Sequence, residues 1–437
     1  MRTGEGDAAE TAETVARRSY GKLVAFLSAR TRDVGAAEDA LSDAFTAAMT
    51  DWPQSGVPDN PEAWLMTVAR RKLIDASRRR QTGEAATPQV QLMHEELSAA
   101  EQADIPDHRL ALMFACAHPA IEESVRAPLI LQTVLGLSAQ VIASAFLTSP
   151  SAMAKRLVRA KEKIRTAGIP FSIPPREELS GRLSAVLDAI YAAFSEGWAD
   201  AAGTDAVRRD LTGESLFLAR LATELMPEEP EALGLAALMF HAEARRPARR
   251  DANGDYVPLA EQDVGRWNMQ LIAEADALIR RAGAKDGLGR YEIEAALQSA
   301  HAHRRLAGHG NWREGNWPEG NWPQDNWREI VALYDALIVI APSPVVAINR
   351  ALALAEAENT ESGLAALPDA DADPLLATYQ PYWAARAELL GRSGATEEAA
   401  KAYELAIGLE RDPAVRRFLQ ARRARAIANT GMGNTSR

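Results

Sequence analysis

A single cysteine, Cys116, stands among 437 residues, so an internal disulfide framework is excluded and a reducing compartment is expected. Its surroundings, MFACAHPA, read as the core of a helix and not as the electropositive setting of a catalytic thiol. Long apolar runs are missing as well: no stretch approaches the roughly 18 uninterrupted apolar residues of a membrane span. The opening MRTGEGDAAETAETVARR lacks the apolar block of a signal peptide, so the expected location is cytoplasmic, with no membrane partner. The 7 histidines form neither HExxH nor any paired spacing with cysteine, and His301 and His303, two apart, belong to different faces of a helix. No metal and no cofactor are expected. With no nucleophile–base pair and no phosphate loop, the sequence offers no catalytic residue and an enzyme is not expected.

What is there is helix. Apolar residues recur with helical period along nearly the whole chain, Ala and Leu abound, and alternation of β-branched residues never lasts beyond a few positions. The predicted fold class is all-α, in a chain long enough for two or three domains. Charge is unevenly placed. The whole chain carries −11, yet residues 1–175 hold 20 basic and 21 acidic residues, so the excess acidity belongs to residues 176–437. Within the first part, residues 61–80 hold Arg70, Arg71, Lys72, Arg78, Arg79 and Arg80 against Glu62 and Asp75, a net charge of roughly +4. Residues 150–165 hold Lys155, Arg156, Arg159, Lys161, Lys163 and Arg165 against Glu162 alone, roughly +5. A non-specific polyanion binder is excluded by the overall sign. The two basic helices must act locally and suggest nucleic acid touched at two places.

Breakers set the expected boundaries. Gln81 to Pro106 is polar and acidic, with Thr82-Gly83, Pro88 and Pro106, the composition of a linker. The stretch GIPFSIPP, Gly168 to Pro175, ends the second basic helix with three prolines. The predicted organisation is therefore 1–83, a linker at 84–106, 107–169, and a larger helical domain at 170–437. In that last part, residues 327–357 read as two antiparallel helices broken at Pro342 and Pro344. Residues 382–413 repeat the scheme, and Ala385, Leu390-Gly391, Ala399, Tyr403, Ala406 and Pro413 resemble a tetratricopeptide repeat. One such hairpin cannot bury its apolar face alone, so stacking of pairs is expected. A low-complexity insert, GNWREGNWPEGNWPQDNW, spaces Trp312, Trp317, Trp322 and Trp327 five apart, which suits neither helix nor strand. It reads as a lengthened surface loop, or else as an aromatic platform for a ligand or peptide.

The second basic helix has the more specific context. A helix from Ser138 to about Phe146, a turn Leu147-Thr148-Ser149 and a second helix opened by Pro150 have helix-turn-helix length and punctuation. Ile142 and Ala143 form the packed face of the first helix; Met153, Leu157, Ala160 and Ile164 seat the second. The opposite face shows Ser151, Lys155, Arg159 and Lys163, a spacing from which cations reach phosphates and the acceptor edge of guanine in the major groove. The first basic helix packs through Leu65, Val68, Ala69, Leu73 and Ala76. Another face carries Trp64, Arg71, Asp75 and Arg78, an aromatic beside cations suited to an unstacked base and to backbone phosphate.

The order AAEDALSDAFTAAMTDWP, NPEAWLMTVARRKLIDASRRR, an acidic linker, and a helix-turn-helix ending RLVRAKEKIR resembles a bacterial RNA polymerase sigma factor of the extracytoplasmic-function class. The stretches DLTGESLFLARLATELMPEEPEALGLAALMFHAEARRPAR and YDALIVIAPSPVVAINRALALAE resemble the subgroup with a long C-terminal helical-repeat extension. That resemblance implies core RNA polymerase and promoter DNA as partners. It implies docking on the polymerase clamp through Glu38, Asp39, Ser42, Asp43 and Phe45. The loop Trp52 to Pro61 and the helix after it would capture the −10 element through Asn60, Trp64, Arg71, Lys72, Asp75, Arg78 and Arg79, flipping a non-template base. The helix from Pro150 would read the −35 element through Ser149, Ser151, Lys155, Arg156, Arg159 and Lys163. Members often have asparagine where this chain has Arg71, and the tryptophan insert is foreign to the family. The extension would be a built-in regulator, open to a regulatory protein or signal.

Two readings from other classes stay open on the residues alone. An operator-binding helix-turn-helix regulator with the repeats as effector domain leaves the first basic helix without a role. A repeat-based interaction scaffold would treat both basic helices as solvated faces.

Overall fold

The computed structural model describes residues 3–80, 107–146, 148–198, 206–284, 288–307, 327–370 and 373–433. The expected linker at 84–106 and the tryptophans Trp312, Trp317 and Trp322 lie outside the described residues. The fold is all-α: the described residues contain no strand, only a single bridge between Arg250 and Tyr256. No described helix is long and apolar enough to cross a membrane. The chain divides into two compact units, Met1–Leu225 and Met226–Arg437.

The first unit begins with α1 (Thr3–Thr31), α2 (Val34–Ser55) and α3 (Pro61–Arg80). Asp33 ends the tight α1–α2 turn by accepting the Ala36 N–H at 3.0 Å, satisfying one of the free donors of the α2 N-terminus. Its apolar stripe Val34, Ala37, Leu41, Ala44, Ala48 and Trp52 is buried against Leu23, Phe26 and Leu27 of α1 and Leu65, Ala69 and Leu73 of α3. Val68 and Ala76, also expected in the core, are half-buried.

There follow α4 (Arg109–Cys116), α5 (Glu123–Thr133), α6 (Ala139–Ala145), α7 (Pro150–Ala167), α8 (Arg176–Trp198) and α9 (Ala206–Leu225). The sequence placed 1–83 and 107–169 as tethered separate domains and a boundary at 169/170; the structure places α1 to α9 in one unit. The close approach is explicit at Gly21, where a Cβ would overlap the carbonyl oxygen of Val134. Gly136, with φ +66°, turns the chain there against the ring of Tyr20. The prolines of GIPFSIPP end α7 without ending the unit, because the apolar face of α8, Leu183, Val186, Leu187, Ile190 and Phe194, is buried and α8 packs on α5 and α4.

The second unit is built round α10 (Pro230–Ala244), whose residues Ala232 to His241 are all buried. It packs on α11 (Met269–Ala282) and α12 (Arg290–Ala307). A Cβ on Gly234 would meet the Glu292 nitrogen at 2.6 Å, so α10 and α12 touch backbone to backbone there. Glu231 accepts the N–H groups of Tyr291 at 2.9 Å and Glu292 at 3.3 Å, supplying partners to the α12 N-terminus. Asp276 is buried and accepts from Ser299 Oγ at 2.8 Å, with His241 Nε2 at 3.1 Å and His303 Nε2 at 3.0 Å. Beyond lie α13 (Trp327–Ile340), α14 (Pro344–Ala357), α15 (Thr360–Ala366), α16 (Pro374–Ala377), α17 (Gln380–Arg392), α18 (Thr396–Leu409) and α19 (Pro413–Gly433). They pack as consecutive helix pairs, α13 on α14 and α17 on α18, where the proline and glycine breaks predicted them.

Candidate nucleic-acid interface

The first unit carries each basic helix on its surface. In α7, Ser149 accepts the Ala152 N–H at 3.3 Å and Pro150 occupies the first turn, so the helix starts where the sequence put it. Met153, Leu157, Ala160 and Ile164 are buried; Ser151, Lys155, Arg159 and Lys163 are exposed on the other side. Three cations one turn apart form a ridge about 12 Å long at 1.5 Å per residue, a length that fits a major groove. Val158, 66 % exposed, sits beside Lys155 and Arg159 on that face. Arg156 departs from it: its guanidinium donates to Glu122 Oε1 at 2.7 Å and to Ser124 Oγ at 2.5 Å. Ser149 is engaged in capping.

In α3, Arg71, Lys72 and Asp75 are exposed. Asn60 caps the helix by accepting the Ala63 N–H at 3.1 Å. Trp64 is half-buried and meets the buried Trp52 edge to face, ring centroids 5.5 Å apart. Its indole is thus fixed by packing, and only its outer part faces solvent. Arg78 and Arg79 stand in the last turn of α3, where the side chains lie outside the described residues. Arg70, counted with the basic block, is instead buried, 5.6 Å from the Phe26 ring centroid.

The acidic helix α2 exposes Asp39, Ser42 and Asp43, with Phe45 half-buried. Asp43 Oδ2 lies 3.3 Å from Lys72 Nζ in an exposed pair, so candidate polymerase-docking and −10 residues adjoin. Glu38 is different. Its side chain is turned to Lys161 of α7 at 2.5 Å, and burial pushes its carboxyl above the usual range while Lys161 pulls it back. Lys161 was legible only as one more cation; its inward position next to Ala160 and Ile164 is fixed by packing that sequence spacing does not show. Cys116 is fully buried, its thiol pushed up to about 12 by that burial and placed 3.5 Å from Thr133 Oγ1. At neutral pH it is a thiol and not a nucleophilic thiolate.

Comparison with known proteins bears on these helices. Residues 15–82 match the Sigma-70 region 2 family, which spans most of α1, all of α2 and all of α3. Residues 182–283 match a family of unknown function, DUF6596, which begins in α8 and runs across the division between the two units. The chain is 37 % identical over 388 residues to an uncharacterized protein of Rhizobium meliloti (strain 1021), covering 86 % of this chain and 87 % of the relative. No solved structure matches. Region 2, on a three-helix core with a basic, solvent-facing third helix, supports a sigma-70-type role in promoter-directed transcription initiation, and that family implies core RNA polymerase and promoter DNA as partners. The chain belongs to the same family as the rhizobial protein.

Proposed function

We propose that the chain is an extracytoplasmic-function sigma factor that acts in the cytoplasm and lends promoter specificity to core polymerase. The α2 face of Asp39, Ser42, Asp43 and Phe45, joined by Glu38, docks on the polymerase. The α3 cations Arg71, Lys72, Arg78 and Arg79, with Asn60, Asp75 and the outer part of Trp64, engage the −10 element. Helices α6 and α7 act as a helix-turn-helix that reads the −35 element through Ser151, Lys155, Arg159 and Lys163. Arg156 and Ser149 hold the helix in place and do not read bases. The helices from 226 onward form a tetratricopeptide-like extension that regulates the first unit in answer to a protein or other signal.

The observation that carries this reading is the pairing of a region 2 match with a second, separate cation ridge on α7. A sigma factor needs two DNA readers, and an operator-binding regulator leaves α3 idle. The test is transcription by core RNA polymerase from a library of genomic promoters with the full chain. Specific transcripts that vanish in Lys155→Ala/Arg159→Ala support it. A footprint on DNA without core association, and no transcripts, would replace it with the operator-binding regulator. A chain stopped after Leu225, which keeps the whole first unit, shows whether the extension activates or restrains.

A further inference from the structure

Helices α8 and α9 join the helices on both sides of the expected linker. Arg109, at the start of α4, is 6 % exposed. Its guanidinium donates to Asp107 Oδ2 at 2.6 Å, pairs with Glu214 of α9, and lies 4.6 Å from the ring centroid of Phe217, also on α9. α9 packs on α1, and α8 packs on α4 and α5. The hairpin therefore grips the region 2 helix α1 on one side and the 107–169 helices on the other. At the same junction Glu38 of α2 holds Lys161 of α7, and Gly21 of α1 lies against the Val134 carbonyl.

We infer that the α8–α9 hairpin is a built-in brace that holds the −10 and −35 readers closed on each other, a state that polymerase and promoter must open. The inference rests on the sigma-factor reading. The −10 and −35 elements stand about 25 base pairs apart, roughly 85 Å at 3.4 Å per base pair. Helices α2 and α7 meet through a 2.5 Å ion pair, so one closed body cannot seat α3 and α7 on both elements. Closure also occupies Glu38, part of the polymerase-docking face. Opening breaks the Glu38–Lys161 pair, returns both charges to water and frees the Glu38 carboxylate for a cation on polymerase. The brace thus makes docking and opening one event. It also gives a purpose to the first two helices of the family of unknown function, whose match begins at 182, inside α8.

The test uses the full chain with fluorophores on Met49→Cys in α2 and Thr166→Cys in α7, both exposed positions, Cys116 being buried. The free wild-type background should show high energy transfer, falling when core polymerase and a promoter duplex are added together. Phe217→Ala removes a side chain that is 43 % exposed and so leaves folding intact. It should raise the low-transfer fraction of the free chain about fivefold and tighten core binding by the same factor, since apparent affinity scales with the competent fraction. Gly21→Ala, which forces α1 from Val134 without touching α9, should do the same and serves if Phe217→Ala loses native circular dichroism. Low transfer in the free wild-type chain, wild-type transfer in a folded variant, or high transfer persisting in a transcribing complex would each overturn the brace. No transcripts at all from the wild-type chain would instead remove the sigma-factor reading, and the closed state would lose the meaning given to it, whatever the free chain does.

Discussion

Lys161 Nζ lies 2.5 Å from Glu38 Oε2, and the two side chains keep only 15 % and 14 % of their surface. The other carboxylate oxygen, Glu38 Oε1, is buried without a hydrogen-bond partner. Removing one charge from such a pair leaves the other desolvated and alone, whereas removing both exchanges a costly pair for apolar packing. Lys161→Met should therefore destabilise the first unit by about 2–4 kcal/mol, and Lys161→Met/Glu38→Gln should recover most of that. Urea unfolding of the four members of the cycle measures it; equal losses in the single and double variants would contradict a coupled pair.

The exposed ridge of α7 predicts the opposite pattern, a loss of binding with no loss of stability. Lys155, Arg159 and Lys163 face solvent, so alanine at any of them should move stability by no more than about 0.5 kcal/mol. Each of these cations that neutralises a phosphate should, once replaced, lower the slope of log affinity against log salt by about 1. Arg156→Ala should behave differently, since its guanidinium is held by Glu122 and Ser124: a loss of stability is expected, with little change in the salt slope. Fluorescence anisotropy on a −35 duplex at several salt concentrations separates the two classes.

How much of this was legible depended on whether the cause was local. Ser149, Pro150 and the stripe Met153, Leu157, Ala160 and Ile164 act within one helix, and their positions follow from helix punctuation and a 3.6-residue period. The ion pairs that join the unit do not: Arg109 and Glu214 are 105 residues apart, Glu38 and Lys161 are 123 apart, and no period connects them. Arg70 and Arg71 show the limit at single-residue scale. Adjacent cations looked equivalent in the sequence, yet the 100° step between them sends Arg70 under Phe26 and Arg71 to solvent. Read as a terminator, GIPFSIPP correctly ends a helix; what it could not show was that α8 returns to cover α5.

Cys116 gives a simple check on burial. Its thiol is enclosed and pushed up to about 12, so a disulfide reagent at pH 8 should leave it unmodified in the native chain and react with it fully in denaturing urea. Prompt reaction of the native chain would show that the α4–α5 core is open, against the packing described.

The buried Asp276 predicts how the second unit responds to acid. Hydrogen bonds from His241 and His303 hold its carboxyl well below the usual range even though burial alone would raise it, and burial holds the His241 ring below its ordinary 6.5. A neutral His241 with its proton on Nε2 still donates to Asp276, so the two directions are compatible. Both signs agree. A histidine with a depressed folded value binds fewer protons than the unfolded chain, so its contribution is present above about 6.5 and is lost as pH falls below that. A carboxylate with a depressed value contributes above about 4 and loses it as pH falls further. Burial also lowers the His301 ring, to about 4, so stability of the second unit should drop in two stages on acidification from pH 7, the first below about 6.5 from His241 and His301 together and the second below about 4 from Asp276. Asp276→Asn removes the second stage and leaves Ser299 and the two rings competing for a single carbonyl oxygen, at a cost of about 1–3 kcal/mol at pH 7. Urea unfolding of the full chain at pH 7, 5.5 and 4, with hydrogen exchange on α10–α12 peptides assigning the transition, would show this. A second unit equally stable at pH 7 and 5.5 would mean that neither His241 nor His301 is held neutral by burial.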